Sequence, residues 1–328
     1  MQYLKLGDVK LKNSIGERLP LSFLVKHSEV KQYQNGSGEY ISIIMKDRNV
    51  EVEAKIWKID DRIASVLKSG NVCDCLVDIK PYEKGKDGLS CILYSVELSE
   101  RNKDEFIEWG EFINESRDTI GNALSVIENT VYGKIVNEIL KSNWEKFSYW
   151  VAGRSMHHSA LGELMVHSAG VARTALKLGQ LYNSIYGDDF VDINLILAGS
   201  LIHDIGKLWE LSVDKDSGNA DYSVKAAMQN HLMFGVLEVE RAATRLGIDP
   251  SNTEEVSLLQ HVISAHHGVR EWGALAEPSI PEAEIIHKAD ELDAQMYIYN
   301  KKLRELEPGD VTTSWLNGKA RSIYKKIK

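Results

Sequence analysis

The stretch Leu201-Ile202-His203-Asp204-Ile205-Gly206-Lys207 sets a histidine and an aspartate side by side at the end of an apolar run. The residues before it, Ile193-Asn194-Leu195-Ile196-Leu197-Ala198-Gly199-Ser200, are apolar on nearly every helical face and predict a buried helix. A charged pair at the end of such a helix is costly unless something neutralises it. A divalent metal would do so, with the imidazole and the carboxylate as adjacent ligands. Working outward, further candidates lie at wide spacings: His167, His231, His266, His267 and Asp290. Nine of the ten histidines fall between residues 157 and 287. Each alone has an ordinary explanation, since a single helical histidine is more often a satisfied part-core residue and Asp290 a solvated position or an ion pair. Together they end or interrupt four apolar helices, and that combination points to a metal centre. Nitrogen and oxygen donors without cysteine suit Mn2+, Mg2+ or Fe2+ as well as Zn2+.

The 328 residues are enough for two domains with separate cores. The N-terminus has no long apolar region of the signal-peptide kind, and no apolar stretch approaches the ~20 residues that span a bilayer; no membrane partner is expected. Three cysteines, Cys73, Cys75 and Cys91, are an odd and sparse set that fits a reducing cytoplasm. Cys73 and Cys75, two apart in a strand-like run, point the same way and do not pair easily. The net charge of −9 argues at first against a nucleic-acid partner. The charge is uneven, however: residues 1–102 hold 16 Lys+Arg against 15 Asp+Glu, so the acidity lies in the remainder. An anionic ligand must then be drawn by bound cations and a local basic groove.

Residues 20–100 read as β. Strands are expected from Leu21 through Val30, over Tyr40–Arg48, over Val50–Trp57, over Asn71–Ile79 and over Ser90–Val96. Asn35-Gly36-Ser37-Gly38 reads as a hairpin turn, residues 59–68 as a short helix, and Lys84-Gly85-Lys86-Asp87-Gly88 as a loop. Five short strands with one helix before the fourth is the layout of a small closed oligonucleotide-binding barrel, which holds single strands through aromatic and basic side chains. Candidates for that face are Tyr33, Tyr40, Lys55, Trp57, Tyr82 and Tyr94. Aromatics favour strands in any case, so half of these are expected in the core; Lys55 and Trp57, on one face of one strand, are preferred. From about 103 to 150 the apolar residues recur at helical steps, and beyond that everything reads as helix and loop. The expected division is 1–102 barrel, 103–150 helical connector and 151–328 catalytic domain.

The chain resembles the HD-domain phosphohydrolases, whose fingerprint of a histidine, then His-Asp, then a distant aspartate maps onto His167, His203-Asp204 and Asp290. His231 and the His266-His267 pair match the members that hold two metals. Over roughly residues 20–300 it is similar to the YhaM-type 3′→5′ exoribonucleases, which join such a barrel to an HD domain. That resemblance rests on His157-His158, on Leu161-Gly162-Glu163-Leu164-Met165-Val166-His167, on the run from Ala198 to Lys207, on Ser264-Ala265-His266-His267-Gly268, and on the run from Ile286 to Ala294. In the barrel, Leu24-Val25, Asn35-Gly36 and Ala54-Lys55-Ile56-Trp57 fall where that family has similar residues. Glu163 stands where the family commonly has small residues. The implied fold is a five-stranded barrel of the oligonucleotide-binding type followed by an all-α HD domain.

The resemblance implies a metal-dependent exonuclease releasing nucleotides from single-stranded RNA or DNA. One metal would be held by His167, His203, Asp204 and Asp290, with Asp204 bridging to a second held by His231 and His266, and His267 as a further ligand. Two such cations clamp a scissile phosphate. Lys207 is placed to reach a phosphate oxygen. His157 and His158 would bind phosphate or protonate the leaving group, with Arg154 and Arg270 as further substrate-binding residues. His261 and His287 are assigned to structure. Two rivals are an HD phosphohydrolase for a small nucleotide or cyclic dinucleotide, and a non-catalytic nucleic-acid-binding protein. RNA against DNA and assembly as a homo-oligomer are left open.

Overall fold

A computed structural model describes residues 2–33, 38–48, 50–57, 59–82, 89–154, 158–316 and 318–327. The Asn35-Gly36-Ser37 part of the expected turn, the 84–88 loop and His157 lie outside the described residues. Two compact units are present: residues 1–108 with 214–219, and residues 109–213 with 220–328.

The first unit is a closed five-stranded barrel. A two-residue strand, β1 (Leu4–Lys5), lies parallel to the start of β2 (Arg18–Gln32). The barrel proper is β2, β3 (Glu39–Asp47), β4 (Val50–Ile56), β5 (Val72–Pro81) and β6 (Leu89–Leu98). The long β2 makes closure possible by serving two neighbours. Its first half pairs with β5 from Arg18↔Asp78 to Leu24↔Val72, and its second half with β3 from Leu24↔Lys46 to Gln32↔Glu39. An irregularity between Val25 and His27 lets the strand bend between them. The parallel pairing of β4 with β6 at Ala54↔Cys91 and Lys55↔Ile92 completes the ring. Period-two alternation fills the interior with Phe23, Val25, Ile43, Met45, Ala54 and Ile56, and with Cys73, Cys75, Val77 and Ile79. The two neighbouring cysteines do share the inward face, as free buried thiols. Helix α1 (Asp61–Val66) precedes β5, and its N-terminus is capped by the Asp60 side chain accepting from Ile63 N–H at 2.7 Å.

The second unit is built around α5 (Ile193–Ile202), buried at every position from Leu195 onward. Around it pack α2 (Ile113–Ile127), α3 (Val131–Tyr149), α4 (Glu163–Tyr186), α8 (Glu254–Ala265) and α9 (Pro281–Glu305). A helix apolar all round requires such complete coverage. The short α6 (Lys207–Glu210) and α7 (His231–Arg245) complete the helices that shape the site. Glu163 opens α4 with a reason of its own: its Oε2 accepts from Ala160 N–H at 2.9 Å and from the Tyr297 hydroxyl at 3.2 Å. The expectation of helix and loop alone beyond residue 150 is corrected by two small hairpins, β7 (Leu211–Asp214) with β8 (Asn219–Tyr222), and β9 (Val311–Leu316) with β10 (Lys319–Tyr324). The alternating, β-branched run Val311-Thr312-Thr313-Ser314-Trp315-Leu316 carries the second, with Leu316 and Ile323 both buried on one face.

Candidate metal centre

Each candidate ligand but Asp290 sits at the end of an element or one turn inside it. His203 follows the last residue of α5 and Asp204 follows it, with the chain turning at Gly206 into α6. His231 is the first residue of α7, whose N-terminus Asn230 caps by accepting from Met233 N–H. His266 and His267 leave the end of α8. His167 lies one turn into α4 and Asp290 within α9. Two glycines allow the approach. A Cβ on Gly206 would stand 1.8 Å from the carbonyl oxygen of His231, and one on Gly170 would stand 2.3 Å from Asp293 Oδ1.

These side chains converge. His167 Nε2 lies 3.1 Å from Asp290 Oδ1, 3.1 Å from His203 Nε2 and 3.4 Å from Asp204 Oδ2. His203 Nε2 is 3.6 Å from the same Asp204 oxygen. The other Asp204 oxygen faces elsewhere: Oδ1 is 3.5 Å from His231 Nε2 and 3.6 Å from His266 Nε2. His231 Nε2 and His267 Nε2 are 3.1 Å apart. One carboxylate thus presents one oxygen to each of two adjoining groups of donors.

The far side of every ring is fixed by an oxygen acceptor. His203 Nδ1 donates to Ser200 O at 2.8 Å, His266 Nδ1 to Ile263 O at 2.9 Å and His267 Nδ1 to Trp272 O at 2.9 Å. His167 Nδ1 lies 2.8 Å from Asp293 Oδ2, and His231 Nδ1 lies 3.0 Å from Glu210 Oε2. Such partners set the tautomer and leave Nε2 as the ligating atom. With Nδ1 turned to its oxygen partner in each ring, the Nε2 atoms of His231 and His267 face each other at 3.1 Å, an arrangement that would suit a cation between them. Asp204 Oδ1 is buried without a hydrogen-bond partner. The donor set therefore fits divalent cations, and a carbonyl or carboxylate behind each imidazole is the support such ligands require.

Electrostatics agree. Burial holds His203, His266 and His267 below the usual histidine range, His266 down to about 3, which favours the neutral, ligating form. Burial works against charge on His167 too, yet Asp204, Asp290 and Asp293 override it and raise its pKa well above the ordinary value. Three carboxylates around one ring demand positive charge there, and a proton supplies it in the absence of a metal. Burial alone would raise the Asp204 carboxyl, but the Lys207 ammonium, 2.5 Å from Oδ2, holds it well below the usual range.

The centre opens onto a cleft of about 240 Å³ lined by Asp204, Lys207, His266, His267, Trp272, His287, Asp290, Glu291 and Ala294. Lys207 is therefore brought into the site. His158 is 4 % exposed and lies behind His167, its Nε2 3.0 Å from Asp293 Oδ2, and is not among the cleft-lining side chains. Arg154 pairs with Asp221 at 3.2 Å and sits 5.3 Å over the Tyr222 ring. Arg270 is exposed on the turn that carries Trp272. His287 donates from Nδ1 to His266 O at 2.7 Å, and His261 Nε2 accepts from Ser279 N–H at 3.0 Å. Three site residues escaped the sequence reading: Asp293, Glu210 and Trp272. Asp293 had a signal, standing three residues after Asp290 on the same helical face; Glu210 and Trp272 had none.

On the barrel, five of the six expected residues gather. Tyr33 and Tyr40 stack with centroids 6.0 Å apart, and the Trp57 ring lies 5.5 Å from the first and 5.2 Å from the second. Lys55 Nζ is 5.3 Å over Tyr40 and 5.8 Å over Tyr82. Trp57 and Tyr82 are both 46 % exposed. Tyr94 stands apart under the Arg18 guanidinium, 3.8 Å from it.

Residues 164–295 match the HD domain family. Across nearly the whole chain, similar curated proteins include "3'-5' exoribonuclease YhaM" of Geobacillus sp. (strain WCH70), 30 % identical over 318 residues, covering 95 % of this chain and 93 % of the relative. The protein of that name from Bacillus pumilus (strain SAFR-032) is 29 % identical over 314 residues, 95 % of this chain and 96 % of the relative. The one from Bacillus subtilis (strain 168) is 29 % identical over 316 residues, with the same coverage. Among the described residues no helix is long and apolar enough to cross a membrane. With barrel, HD segment and identity all running the length of its relatives, the chain belongs to the YhaM family of 3′-5′ exoribonucleases.

Proposed function

We propose that this protein is a metal-dependent 3′→5′ exonuclease that shortens single-stranded RNA, with His167, His203, Asp204 and Asp290 holding one divalent cation and Asp204, His231, His266 and His267 a second. The observation that carries the reading is the split of Asp204, one oxygen toward His167 and His203 and the other toward His231 and His266. When bound, such cations neutralise the scissile phosphate and make water acidic enough to supply the nucleophile. Mn2+ is the ion we favour for these nitrogen and oxygen donors.

The chain's own residues do the rest. Lys207 lines the cleft and offers an ammonium to a non-bridging phosphate oxygen, a charge-assisted contact that strengthens as the phosphate gains charge. Asp293 holds the His167 proton on Nδ1 and so keeps Nε2 directed inward. His158, on the outer side of Asp293, steadies that carboxylate. Asp290 and Asp204 stay ionised because their surroundings favour the charged form. Strand binding falls to the Tyr33–Tyr40–Trp57 cluster with Lys55, where stacking holds bases irrespective of identity. Three buried free thiols accord with a cytoplasmic location.

Incubation with Mn2+ and a 5′-labelled single strand tests the reading. A ladder shortening one nucleotide at a time from the 3′ end, absent in Asp204→Ala, is expected. Hydrolysis of free nucleotides or cyclic dinucleotides with the strand left intact would overturn it.

A further inference from the structure

One large aromatic ring in the cleft remains unassigned by anything above. Trp272 lines it beside Asp204, His267 and Asp290 and is 53 % exposed, in a centre where His167, His203, His231 and His266 are buried and His267 half-buried. Among the described residues its ring neighbour is His287, standing off at 6.4 Å and 49°, so no described ring is stacked flat on the indole. The ring's position is tied to the centre through its own backbone, because Trp272 O is the acceptor that orients His267. The turn that carries it is stiff: Trp272 N–H donates to Val269 O, Gly273 N–H to Arg270 O and Leu275 N–H to Ser264 O, all at 2.9–3.1 Å. With its backbone held this firmly, the indole has only its two side-chain torsions to lose on meeting a flat partner.

Building on the exonuclease reading, we propose that Trp272 is the platform on which the base of the 3′-terminal nucleotide stacks while its phosphodiester lies at the His–Asp cluster. A π face accepts any of the four bases, as an enzyme that must remove every nucleotide in turn requires. Because the Trp272 carbonyl is hydrogen-bonded to His267, the platform is carried by the same turn as that imidazole and sets the distance between base and reacting phosphate, so that the terminal linkage is the one aligned. Trp272 is thus a substrate-contacting residue that acts on binding and register, separate from the aromatic cluster of the barrel.

The test uses the full-length protein with Mn2+ and two single strands of one sequence, one with an ordinary 3′ nucleotide and one whose 3′ nucleotide lacks its base. The first cleavage is followed under single-turnover conditions, and bound metal is measured for each variant. For the wild type, removing the base should raise the half-saturating concentration about ten- to a hundredfold, the worth of one base–aromatic stack. Trp272→Ala should show that rise on the ordinary strand and no further rise on the base-less one, with metal content unchanged. Trp272→Phe should recover most of the affinity. Equal sensitivity of wild type and Trp272→Ala to loss of the base would overturn the proposal. So would a Trp272→Ala protein that loses metal and slows on both strands alike, which would make the residue a support for His267. A wild type that shortens neither strand would refute the exonuclease reading itself, and this assignment with it.

Discussion

The carbonyl oxygen of His231 lies 1.8 Å from where a Cβ on Gly206 would stand. The tight turn after His203-Asp204 and the start of α7 are therefore in backbone contact, and this contact delivers His231 to the Asp204 oxygen that His203 does not face. Backbone cannot give way as a flexible side chain can. Gly206→Ala should cost about 1–3 kcal/mol of stability and push His231 away from the centre. Thermal denaturation with metal titration checks it: a lowered midpoint and loss of one bound cation are expected, with the other retained.

Removing metal should lower stability as well as activity. A ligand bound only by the folded state adds about 2.7 kcal/mol at a concentration one hundred times its dissociation constant. A strong chelator should reduce the melting temperature by several degrees, and Mn2+ should restore it. Asp204→Ala should be inactive and its melting temperature much less responsive to Mn2+. A wild-type melting temperature indifferent to both chelator and Mn2+ would count against the centre.

Asp293 is not among the residues lining the cleft, yet its Oδ2 lies 2.8 Å from His167 Nδ1 and 3.0 Å from His158 Nε2. Loss of such outer support weakens metal binding roughly 10- to 100-fold. Asp293→Asn keeps the shape and removes the charge. Its activity at saturating Mn2+ should return toward wild type, with the Mn2+ activation curve shifted to higher concentration. A curve that coincides with the wild-type one would remove Asp293 from the account.

Trp57→Ala and Tyr40→Ala on the barrel should each weaken binding of a single strand by about 1–3 kcal/mol. Hydrolysis of a small chromogenic phosphodiester should be unchanged, since that substrate is too short to use the cluster. Fluorescence anisotropy with a labelled strand, beside the chromogenic assay, separates the two effects.

The barrel thiols give a pH dependence with a definite sign. Burial pushes Cys73 up to about 12 and Cys91 up to about 11, from an ordinary value of 9.0. The folded barrel binds these protons more tightly than the unfolded chain does. The associated stability is whole below pH 9 and falls away as pH rises toward those values. Alkaline denaturation should therefore begin above about pH 9 and be delayed in Cys73→Ala,Cys91→Ala relative to its own neutral-pH stability. A thiol reagent at pH 8 should react with the native protein only as fast as it unfolds.

Much of this was legible without coordinates. Alternation through Leu21–Val25, Tyr40–Met45 and Val72–Ile79 shows a barrel because a strand has only two faces, and an apolar residue on one of them declares the core. The helix ending in His203-Asp204 was legible because a ten-residue run with only Asn194 and Ser200 polar admits little but a central helix. The hairpins at 211–222 and 311–324 were not, because short runs flanked by polar residues carry too few periods to separate strand from loop. Trp315 on an exposed face and Leu316 on a buried one become distinct only once the pairing with β10 exists.

Residue types and spacing alone supplied the donors: the imidazoles at 167, 203, 231, 266 and 267 and the carboxylates at 204 and 290. Side-chain chemistry is local and travels with the residue. Convergence was decided in three dimensions, through Gly206 against His231 and Gly170 against Asp293, because which backbones approach closely depends on how helices far apart in the chain pack. The same holds for Asp293, Glu210 and the Trp272 carbonyl, which lie behind the rings of His167, His231 and His267. An acceptor behind a ring is chosen by its position in space, and a carbonyl carries no mark of that choice in the residue that bears it.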